Sequence, residues 1–341
     1  MMALVYSPEY LEHKTSNHPE SPDRLIKIME GLDEADLLRK IPIFEPCMAT
    51  EEDIERVHTS DHVEKIRTFC ESGGGYLDFD TYASPQSYEI AKLAAGGVIK
   101  ASELVLDNFS SAYALVRPPG HHATRERAMG FCLFNNLAVA LEYLRKVRKI
   151  NKFIIFDFDV HYGNGTANIF YNDPDVLYIS IHQDPHTIFP SQGFLEEMGG
   201  GPGRGSNLNI PLSPGSGTPD YIYILERILR PVFKEFNANF LFFDVGFDAH
   251  KDDPLSRIFL DDDFFEWMAM VILNQPQPRV LTLEGGYHLE AMKRCNLKMI
   301  NLLKEERLEH SPISPDMTEV RDETKKLYRH IEDNFSPFFT F

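Results

Sequence analysis

The sequence predicts an α/β protein in which a mainly parallel sheet is covered by helices on both faces. Short apolar runs typical of buried strands, such as 153–156 and 239–245, alternate with longer segments of helical periodicity. No linker-like composition divides the chain, and no segment repeats at a fixed period, so we expect one folded unit and exclude a solenoid. With 341 residues, 43% of them hydrophobic, the chain is long enough to bury a large core.

The elements are assigned in order from apolar pattern, caps and breakers. The predicted strands are 3–6, 112–116, 153–156, 176–182, 239–245 and 279–283. The predicted helices start at Arg24 and Thr50 and then cover 60–70, 84–106, 134–148, 165–171, 221–236, 262–273 and 316–334. Ser21 or Asp23 is expected to cap the first helix, and Pro85 suits the first turn of the long one. The stretch around His18 and Arg24 alone reads as a surface loop.

Charge and cysteine content narrow the functional classes. The chain carries 52 acidic against 34 basic residues, a formal charge of −18, which disfavours direct binding to nucleic acid or an anionic membrane. None of the four cysteines forms a Cys-x-x-Cys pair, so neither a disulfide framework nor a cysteine-type zinc finger is expected. The chain shows no signal-peptide pattern and no apolar run of about 20 residues. We therefore expect a cytoplasmic protein, and the sequence gives no indication of its oligomeric state.

The centre of the chain is the stretch that follows the buried strand at 153–156. Alternation along a strand would project Asp157, Asp159 and His161 to one side before Gly163 and Gly165 break the strand. Two carboxylates and an imidazole at a buried strand end need compensation, because removing bare charges from water costs several kcal/mol each. A divalent cation is the simplest compensation.

Four polar groups follow predicted strands. They are His121-His122, Asp159-x-His161, Asp248 and Gly286-Tyr287. Each alone has an ordinary explanation as a surface histidine pair, a helix cap or a turn. In open α/β sheets, however, ligands bind beyond the carboxyl ends of the strands, where all four would meet. Their convergence favours a metal-dependent hydrolase.

The residue types suit that chemistry. Asp159, His161 and Asp248 would supply two oxygens and one nitrogen to a metal and leave a position open for water and substrate. Tyr287 could donate a hydrogen bond to a developing oxyanion, and a neutral histidine could move the proton of the attacking water to the leaving amine. Asp157 could orient one histidine.

Several motifs together resemble the zinc-dependent histone deacetylase family. They are Arg117-Pro118-Pro119-Gly120-His121-His122-Ala123, Gly130-Phe131-Cys132-x-Phe134-Asn135-Asn136, Asp157-Phe158-Asp159-Val160-His161-x-Gly163-Asn164-Gly165 and Glu284-Gly285-Gly286-Tyr287. His18-Pro19-Glu20-x-Pro22-x-Arg24 resembles the class II branch of the family and the prokaryotic histone deacetylase-like amidohydrolases. The resemblance runs from about residue 4 to 305, in the family's order.

The resemblance implies the arginase–deacetylase fold, a single eight-stranded parallel sheet flanked by helices. We expect a catalytic domain over 1–310. The resemblance does not cover the remaining residues, 311–341, which their composition predicts to be a charged helical tail that packs on the domain or extends from it. The implied reaction is hydrolysis of an N-acetyl (acyl) amide to free amine and acetate. The implied substrate is an acetylated lysine peptide or protein, or alternatively an acetylpolyamine or other small acetylated amine. The implied cofactors are Zn²⁺, with Fe²⁺ as an alternative in vivo, and structural K⁺ or Na⁺.

The resemblance also implies roles for individual residues. Asp159, His161 and Asp248 match the zinc ligands, Tyr287 matches the residue that polarises the carbonyl, and His122 of the His121–His122 pair matches the general base and acid. The substrate channel is matched by Phe131, Phe189 and Gly130. Gly286, which precedes the catalytic tyrosine, is also expected to contact the substrate. Asp80 matches the rim acid that holds the substrate backbone. Asp157, Ser180 and the backbone around Ile181 match a monovalent cation site. Phe170, Asp173 and Val176 match a second such site.

Two positions separate this chain from other branches of that family. Asn164 stands where class I enzymes have an aspartate beside the second histidine, so His122 should be harder to protonate. Leu255 stands where the acetylspermidine-specific branch has an acidic gatekeeper, and the 73–84 loop lacks the long insertion of dimeric acetylpolyamine enzymes. Both points weigh against a polyamine substrate.

Two alternatives belong to other functional classes. A binuclear manganese ureohydrolase would need bridging carboxylates near Asp248, but the spacing of Asp252 and Asp253 does not suit that role. It would also leave the two histidines without a function. A catalytically silent acyl-lysine binding module would be favoured by loss of a ligand or of Tyr287, and all of these residues are present.

Overall fold

Eight parallel strands form the centre of the structure, a computed structural model that describes residues 1–305 and 318–341. The strand order is β2-β1-β5-β10-β9-β6-β7-β8. These strands are β1 (Met2–Val5), β2 (Ile43–Phe44), β5 (Ser111–Ala114), β6 (Phe153–Asp157), β7 (Val176–Gln183), β8 (Asn207–Leu212), β9 (Phe240–Val245) and β10 (Arg279–Leu283). A small antiparallel pair, β3 (Gly75–Tyr76) with β4 (Tyr82–Ala83), lies outside this sheet. The predicted α/β class with a single eight-stranded parallel sheet is confirmed.

Helices flank the sheet in two layers. The described helices are α1 (Asp23–Glu34), α2 (Glu51–Glu55), α3 (Ser60–Glu71), α4 (Ser87–Asp107), α5 (Asn136–Tyr143), α6 (Asn164–Phe170), α7 (Thr218–Phe236), α8 (Asp262–Leu273), α9 (Leu289–Leu303) and α10 (Asp322–Phe335). Helix α4 packs on β1, β5 and β10 and against α5, while α9 packs against both α1 and α8. The central strands are apolar along most of their length and fully buried, as expected for a parallel sheet covered on both faces.

Three predicted helix starts are wrong by two or three residues. Helix α7 begins at Thr218 rather than at residue 221. The long helix α4 begins at Ser87 rather than at Ser84-Pro85, because Ser87 Oγ accepts a hydrogen bond from Ser84 N at 2.7 Å and closes a turn before the helix. Helix α5 begins at Asn136 rather than at residue 134, because the Asn135 side chain caps it by accepting from Ala138 N. Its continuation over Leu144–Arg148 is a π-helical turn, so the predicted helix 134–148 is not uniformly α-helical.

The first helix and the central strand also differ from expectation. Neither Ser21 nor Asp23 caps α1; its N-cap is Pro22, which offers no side-chain hydrogen bond. The strand β6 ends at Asp157, so strand alternation does not extend to Asp159 and His161. Asp157 therefore faces a different partner from those two residues, as the site geometry shows.

The C-terminal helix α10 packs on the sheet domain. It begins at Asp322, later than the predicted start at 316, which lies outside the described residues together with the proposed boundary at 310. The Thr324 hydroxyl donates to Asp220 Oδ1 at 2.6 Å, and Ile331 and Phe335 are buried in the core. α10 contacts α7 and β8. In the described ranges, no helix combines the length and apolarity that crossing a membrane requires.

Candidate active site

The carboxyl ends of three neighbouring strands and one loop build the candidate site. Asp159 and His161 follow β6, Asp248 follows β9, and Tyr287 follows β10. His121 and His122 lie in the loop after β5. Because these strands are adjacent and parallel, their carboxyl ends share one edge of the sheet, which is why residues distant in sequence meet there.

The predicted metal ligands converge. Ligand atoms of Asp159, His161 and Asp248 all lie within 4.8 Å of one another. His161 Nδ1 is 3.2 Å from Asp159 Oδ1 and 3.0 Å from Asp248 Oδ2. Both carboxylates are buried, and backbone N–H groups orient them: Asp159 Oδ2 accepts from Gly285 at 2.7 Å, and Asp248 Oδ1 accepts from Val160 at 3.0 Å.

Two glycines make this approach sterically possible. A Cβ on Gly246 would lie 2.3 Å from Asp159 Oδ2. A Cβ on Gly285 would lie 2.2 Å from Asp248 Oδ2 and 2.4 Å from Asp159 Oδ2. Any side chain at either position would displace a carboxylate from the cluster. The glycine of the Glu-Gly-Gly-Tyr motif therefore serves the donor cluster as well as the turn.

The electrostatics of the three donors favour a cation between them. Burial raises the pKa of Asp248, and the nearby Asp159 charge raises it further. Burial also opposes ionisation of Asp159, but the His121 charge and hydrogen bonds from His161 outweigh it and lower the pKa of Asp159. Burial lowers the pKa of His161, yet hydrogen bonds to both carboxylates raise it to about 10. The carboxylates thus attract positive charge to the position that a divalent metal would take, and two oxygens with one imidazole nitrogen suit zinc.

The two adjacent histidines have different partners. His121 Nδ1 is 3.0 Å from Asp157 Oδ2, which also accepts from the Tyr178 hydroxyl at 2.8 Å. His122 Nδ1 is 2.8 Å from Asn164 Oδ1. The two imidazole rings are only 4.0 Å apart between centroids. Asp157 therefore holds His121 rather than joining the donor cluster of Asp159 and Asp248.

The partners shift the two histidine pKa values in opposite directions. Burial lowers the pKa of His121, but the charges of Asp157 and Asp159 outweigh it and raise that pKa well above 6.5. Burial lowers the pKa of His122, and the positive charges of His121 and His161 lower it further, well below 6.5. His121 is therefore the charged member of the pair and His122 the neutral one.

Tyr287 is held from two sides. Its backbone N–H donates to Asp253 Oδ2 at 2.6 Å, and the next N–H, from His288, donates to the same oxygen at 3.1 Å. The Arg24 guanidinium lies 5.1 Å from the centre of the Tyr287 ring. Burial raises the pKa of the Tyr287 hydroxyl well above its ordinary value, so the phenol stays protonated and can donate a hydrogen bond.

A buried ion-pair network supports this turn, and sequence reasoning missed it. Arg24 is fully buried, which overturns the surface-loop expectation for it. Its Nε donates to the Gly286 carbonyl at 2.7 Å, its Nη2 donates to the Glu284 carbonyl, and its Nη1 pairs with Glu20 at 3.1 Å. Glu20 also accepts from Arg117 Nε at 2.5 Å. The available signal was the pairing of Glu20 with two arginines, which strand and helix patterns do not reveal.

The predicted channel residues lie around the histidines and Tyr287. The Phe189 ring meets the His122 ring edge-on at 5.0 Å, and the Phe131 ring meets Tyr287 at 5.7 Å. Gly130 has φ +54°, and a Cβ there would lie 2.5 Å from His122 Cδ2 and 2.9 Å from the Phe189 ring. Leu255 lies in the loop that follows Asp248, and it is 36% exposed.

The predicted rim residue, Asp80, contacts the channel through His18. The surface-loop expectation for His18 is wrong, because its side chain packs between Asp80 and Phe131. Its Nε2 lies 2.9 Å from the Asp80 carbonyl, and its ring meets Phe131 edge-on at 4.4 Å between centroids. The Asp80 carboxylate makes a long contact with the Thr81 hydroxyl at 3.4 Å, and burial raises its pKa. His18 thus connects the segment of the predicted rim acid to the channel wall.

The two predicted monovalent cation sites differ in how their side chains are engaged. At the first, Asp157 and Ser180 are register partners on β6 and β7, and the Ser180 hydroxyl lies 2.8 Å from His182 Nδ1. At the second, Asp173 pairs with Arg145 at 2.9 Å, and the Phe170 carbonyl accepts from Asp173 N at 2.9 Å. The Asp173 charge is thus already matched by a guanidinium.

Comparisons with known proteins agree with this geometry. The model of the histone deacetylase domain matches residues 18–303. A probable deacetylase of Methanothermobacter thermautotrophicus is 43% identical over 341 residues, covering 100% of both chains. A histone deacetylase-like amidohydrolase of Pseudomonas aeruginosa is 37% identical over 294 residues, covering 84% of this chain and 77% of that protein. The crystal structure of the HDA15 HD domain superposes with a TM-score of 0.91 at 31% identity, covering 99% of this chain and 95% of that one.

Fold and site together define an amide-hydrolysing enzyme of the α/β class, with the arginase–deacetylase architecture. The chain belongs to the histone deacetylase family, and it is a deacetylase.

Proposed function

We propose that this deacetylase hydrolyses the acetyl amide of acetylated lysine side chains, in a zinc-dependent reaction that releases the free amine and acetate. The observation that carries the proposal is the convergence of Asp159, His161 and Asp248 within 4.8 Å, beside a neutral histidine and a protonated tyrosine. Zinc held by these three residues would supply Lewis acidity toward the acetyl carbonyl and its attacking water.

His122 is proposed as the residue that moves the proton. Asn164 Oδ1 is an acceptor toward His122 Nδ1, which favours the tautomer with hydrogen on Nδ1 and a free lone pair on Nε2. The pKa of His122 is lowered by burial and by neighbouring positive charges, so this lone pair is available at neutral pH. His122 can take a proton from the attacking water and deliver it to the leaving amine.

His121 is proposed as a fixed positive charge beside that base. Its Nδ1–H donates to Asp157, whose other partner on the same oxygen is the Tyr178 hydroxyl. Because His121 keeps its proton, it opposes protonation of His122 in the resting enzyme. Tyr287 donates its hydroxyl hydrogen to the oxygen that gains negative charge as the carbonyl is attacked.

The surroundings of the site support a long, slim substrate side chain. Phe131 and Phe189 present aromatic rings near Tyr287 and His122, and Gly130 leaves room where any side chain would meet His122. An acyl-lysine stem is apolar along its methylenes and suits such walls. Leu255 contributes an apolar side chain rather than a carboxylate that would attract the second amine of a polyamine.

A turnover comparison tests the substrate class. Fluorogenic acetyl-lysine peptides, acetylspermidine and longer acyl-lysine peptides are assayed under the same conditions, and acetyl-lysine is expected to give the highest kcat/KM. Replacing Leu255 by Glu should shift preference toward acetylspermidine, with Leu255→Gln as the uncharged control. A wild-type preference for acetylspermidine would contradict the substrate proposal while leaving the deacetylase activity intact.

Metal analysis tests the cofactor separately. We expect one zinc ion per chain after purification. One ferrous ion per chain after anaerobic purification would instead identify iron as the metal in vivo. Two metal ions per chain at this site would contradict the proposed mechanism.

We also propose a cytoplasmic location, which the four unpaired cysteines support because thiols persist in a reducing compartment.

A further inference from the structure

A row of polar side chains crosses the interior of the sheet beneath the active site. Register pairs Ser180 with Asp157, Asp157 with Asp244, and Asp244 with Thr282, across β7, β6, β9 and β10. Register partners on adjacent strands project from the same face. Glu284 follows the end of β10 and stays beside β9, since its N–H donates to the Val245 carbonyl at 2.9 Å, and burial together with the Glu284 charge raises the pKa of Asp244. All five residues are fully buried. Polar groups in such a position require partners.

One half of this row has partners and the other half lacks them. Asp157 is bound by His121 and Tyr178, and Ser180 by His182. In the described part of the chain, neither carboxylate oxygen of Asp244 has a hydrogen-bond partner, and the same holds for Thr282 Oγ1 and Glu284 Oε1. Four unpartnered oxygens therefore belong to three residues on the adjacent strand ends of β9 and β10.

The cationic side chains nearest to this half of the row, His121 and Arg24, form their hydrogen bonds with other acceptors. His121 donates to Asp157, and the guanidinium of Arg24 bonds to Glu20 and to the carbonyls of Glu284 and Gly286. Glu284 Oε2 accepts from the backbone N–H groups of Gly120 and His121 at 2.8 and 3.1 Å, but its Oε1 is left over. Buried carboxylates of this kind are neutralised by a proton or bind a cation.

We propose that Asp244, Thr282 and Glu284 bind an alkali metal ion, K⁺ or Na⁺, inside the sheet. The unpartnered ligand atoms are all oxygens. Hard cations bind oxygen ligands, whereas zinc and copper favour nitrogen and sulfur ligands. Mg²⁺ is disfavoured because it gives up its water reluctantly, and Asp244, Thr282 and Glu284 are fully buried. The site lies between β9 and β10, apart from the monovalent site predicted at Asp157, Ser180 and Ile181, which involves β6 and β7.

The ion would act on the active site through Glu284. With Oε1 on the ion and Oε2 on the N–H groups of Gly120 and His121, Glu284 would connect the cation to the loop that carries the histidine pair. The ion would be structural, and its own scattering locates it, so its presence can be tested independently of the catalytic proposal.

The direct test is anomalous scattering from crystals of the full-length protein grown or soaked with Rb⁺ or Tl⁺. An anomalous peak is expected within coordination distance of Asp244 and Glu284 Oε1, and Asp244→Asn is expected to remove that peak while other peaks remain. The absence of a peak at this position in wild-type crystals would overturn the proposal in favour of a protonated Asp244. A peak obtained with Mn²⁺ but not with Rb⁺ or Tl⁺ would overturn the alkali assignment.

A solution test uses thermal unfolding in KCl against tetramethylammonium chloride at equal ionic strength. A ligand that binds only the folded state raises Tm with its concentration. The wild-type Tm is expected to rise with K⁺, and Thr282→Val and Asp244→Asn should each reduce that rise. Ser111→Ala is the matched control, since Ser111 is a buried, unpartnered hydroxyl on β5 that pairs in register with Arg279, away from this site. An equal K⁺ response in wild type and Asp244→Asn would contradict the proposal.

Discussion

The two adjacent histidines of the active site differ in charge because the residues beneath them differ. His121 rests on the carboxylate of Asp157 at 3.0 Å, and His122 rests on the amide of Asn164 at 2.8 Å. Both are almost fully buried, so desolvation acts against the charged form of each. Only His121 has an anionic partner strong enough to overcome it. Two identical side chains, neighbours in sequence, thus differ in charge: His121 is charged and His122 is neutral.

The comparison also shows how one charge controls another. The positive charge on His121 lies close to His122 and lowers its pKa, so the Asp157–His121 pair keeps the neighbouring base neutral. Asn164 fixes the tautomer of His122 without contributing a charge. We therefore expect the pKa difference between His121 and His122 to shrink when either Asp157 or Asn164 is replaced.

The largest effect is expected from removing the neutral histidine. His122→Ala should lower kcat by about 10²–10⁴-fold, because the attacking water loses its general base. His121→Ala should cost less, since His121 acts through His122. Steady-state kinetics with an acetyl-lysine peptide measures both, with the exposed His186→Ala as control. Equal losses for the two histidine variants would contradict the assignment of His122 as the base.

Tyr287→Phe is the next largest change. Loss of one hydrogen bond to a developing oxyanion should lower kcat by about 10²–10³-fold and leave KM nearly unchanged. The phenyl ring can keep the edge contact with Phe131, so the fold is retained. Circular dichroism controls for folding. Retention of wild-type kcat would show that another group stabilises the oxyanion.

Asp157→Asn removes the anionic partner of His121. Without that carboxylate, His121 loses its proton more readily and no longer lowers the pKa of His122. We expect kcat to fall by about 10–100-fold, as is typical when the partner of an active-site residue is changed. Asp175→Asn, an exposed change in the turn before β7, is the control. An unchanged kcat would show that His121 needs no anionic partner.

Asp253→Ala should act through Tyr287. Asp253 Oδ2 accepts the N–H groups of Tyr287 and His288, and their loss should lower kcat about tenfold with little change in KM. Asp253→Asn keeps an oxygen acceptor and should be affected less. A purely structural role would instead lower Tm equally in both variants while leaving kcat unchanged.

The smallest change in activity at neutral pH is expected from Asn164→Asp, which gives both histidines a carboxylate partner. As the proposed base, His122 must be neutral, so we expect activity to fall as pH drops below its pKa. The lowered pKa places this acid limb of the pH profile below pH 6.5 in the wild type. A carboxylate at 164 favours the imidazolium and raises that pKa, so the limb should move to higher pH, by about 1 pH unit. The pH dependence of kcat/KM measures it. A limb that stays in place or moves to lower pH would contradict the charge argument.

The proposed metal ligands, the histidine pair and Tyr287 could be found in the sequence because each follows an apolar strand, and parallel strands end at a common edge. The sequence pattern did not reveal what depends on contacts between distant side chains. Arg24 was expected on a surface loop but is buried under Tyr287 by bonds to the carbonyls of Glu284 and Gly286. Asp253 had no role beyond a rejected metal ligand, although its carboxylate holds the Tyr287 backbone.

The sequence by itself determined the α/β class, the order of most elements and the polar residues at the strand ends, because these follow from local periodicity and chain connectivity. Tertiary structure alone decided which residues share a face, which carboxylates have partners and which histidine is charged. Asp157 shows the reason. Alternation would have placed it with Asp159, but β6 ends at Asp157, and that residue faces His121 instead. Its charge state, and that of His122, depends on three-dimensional neighbours that no local pattern records.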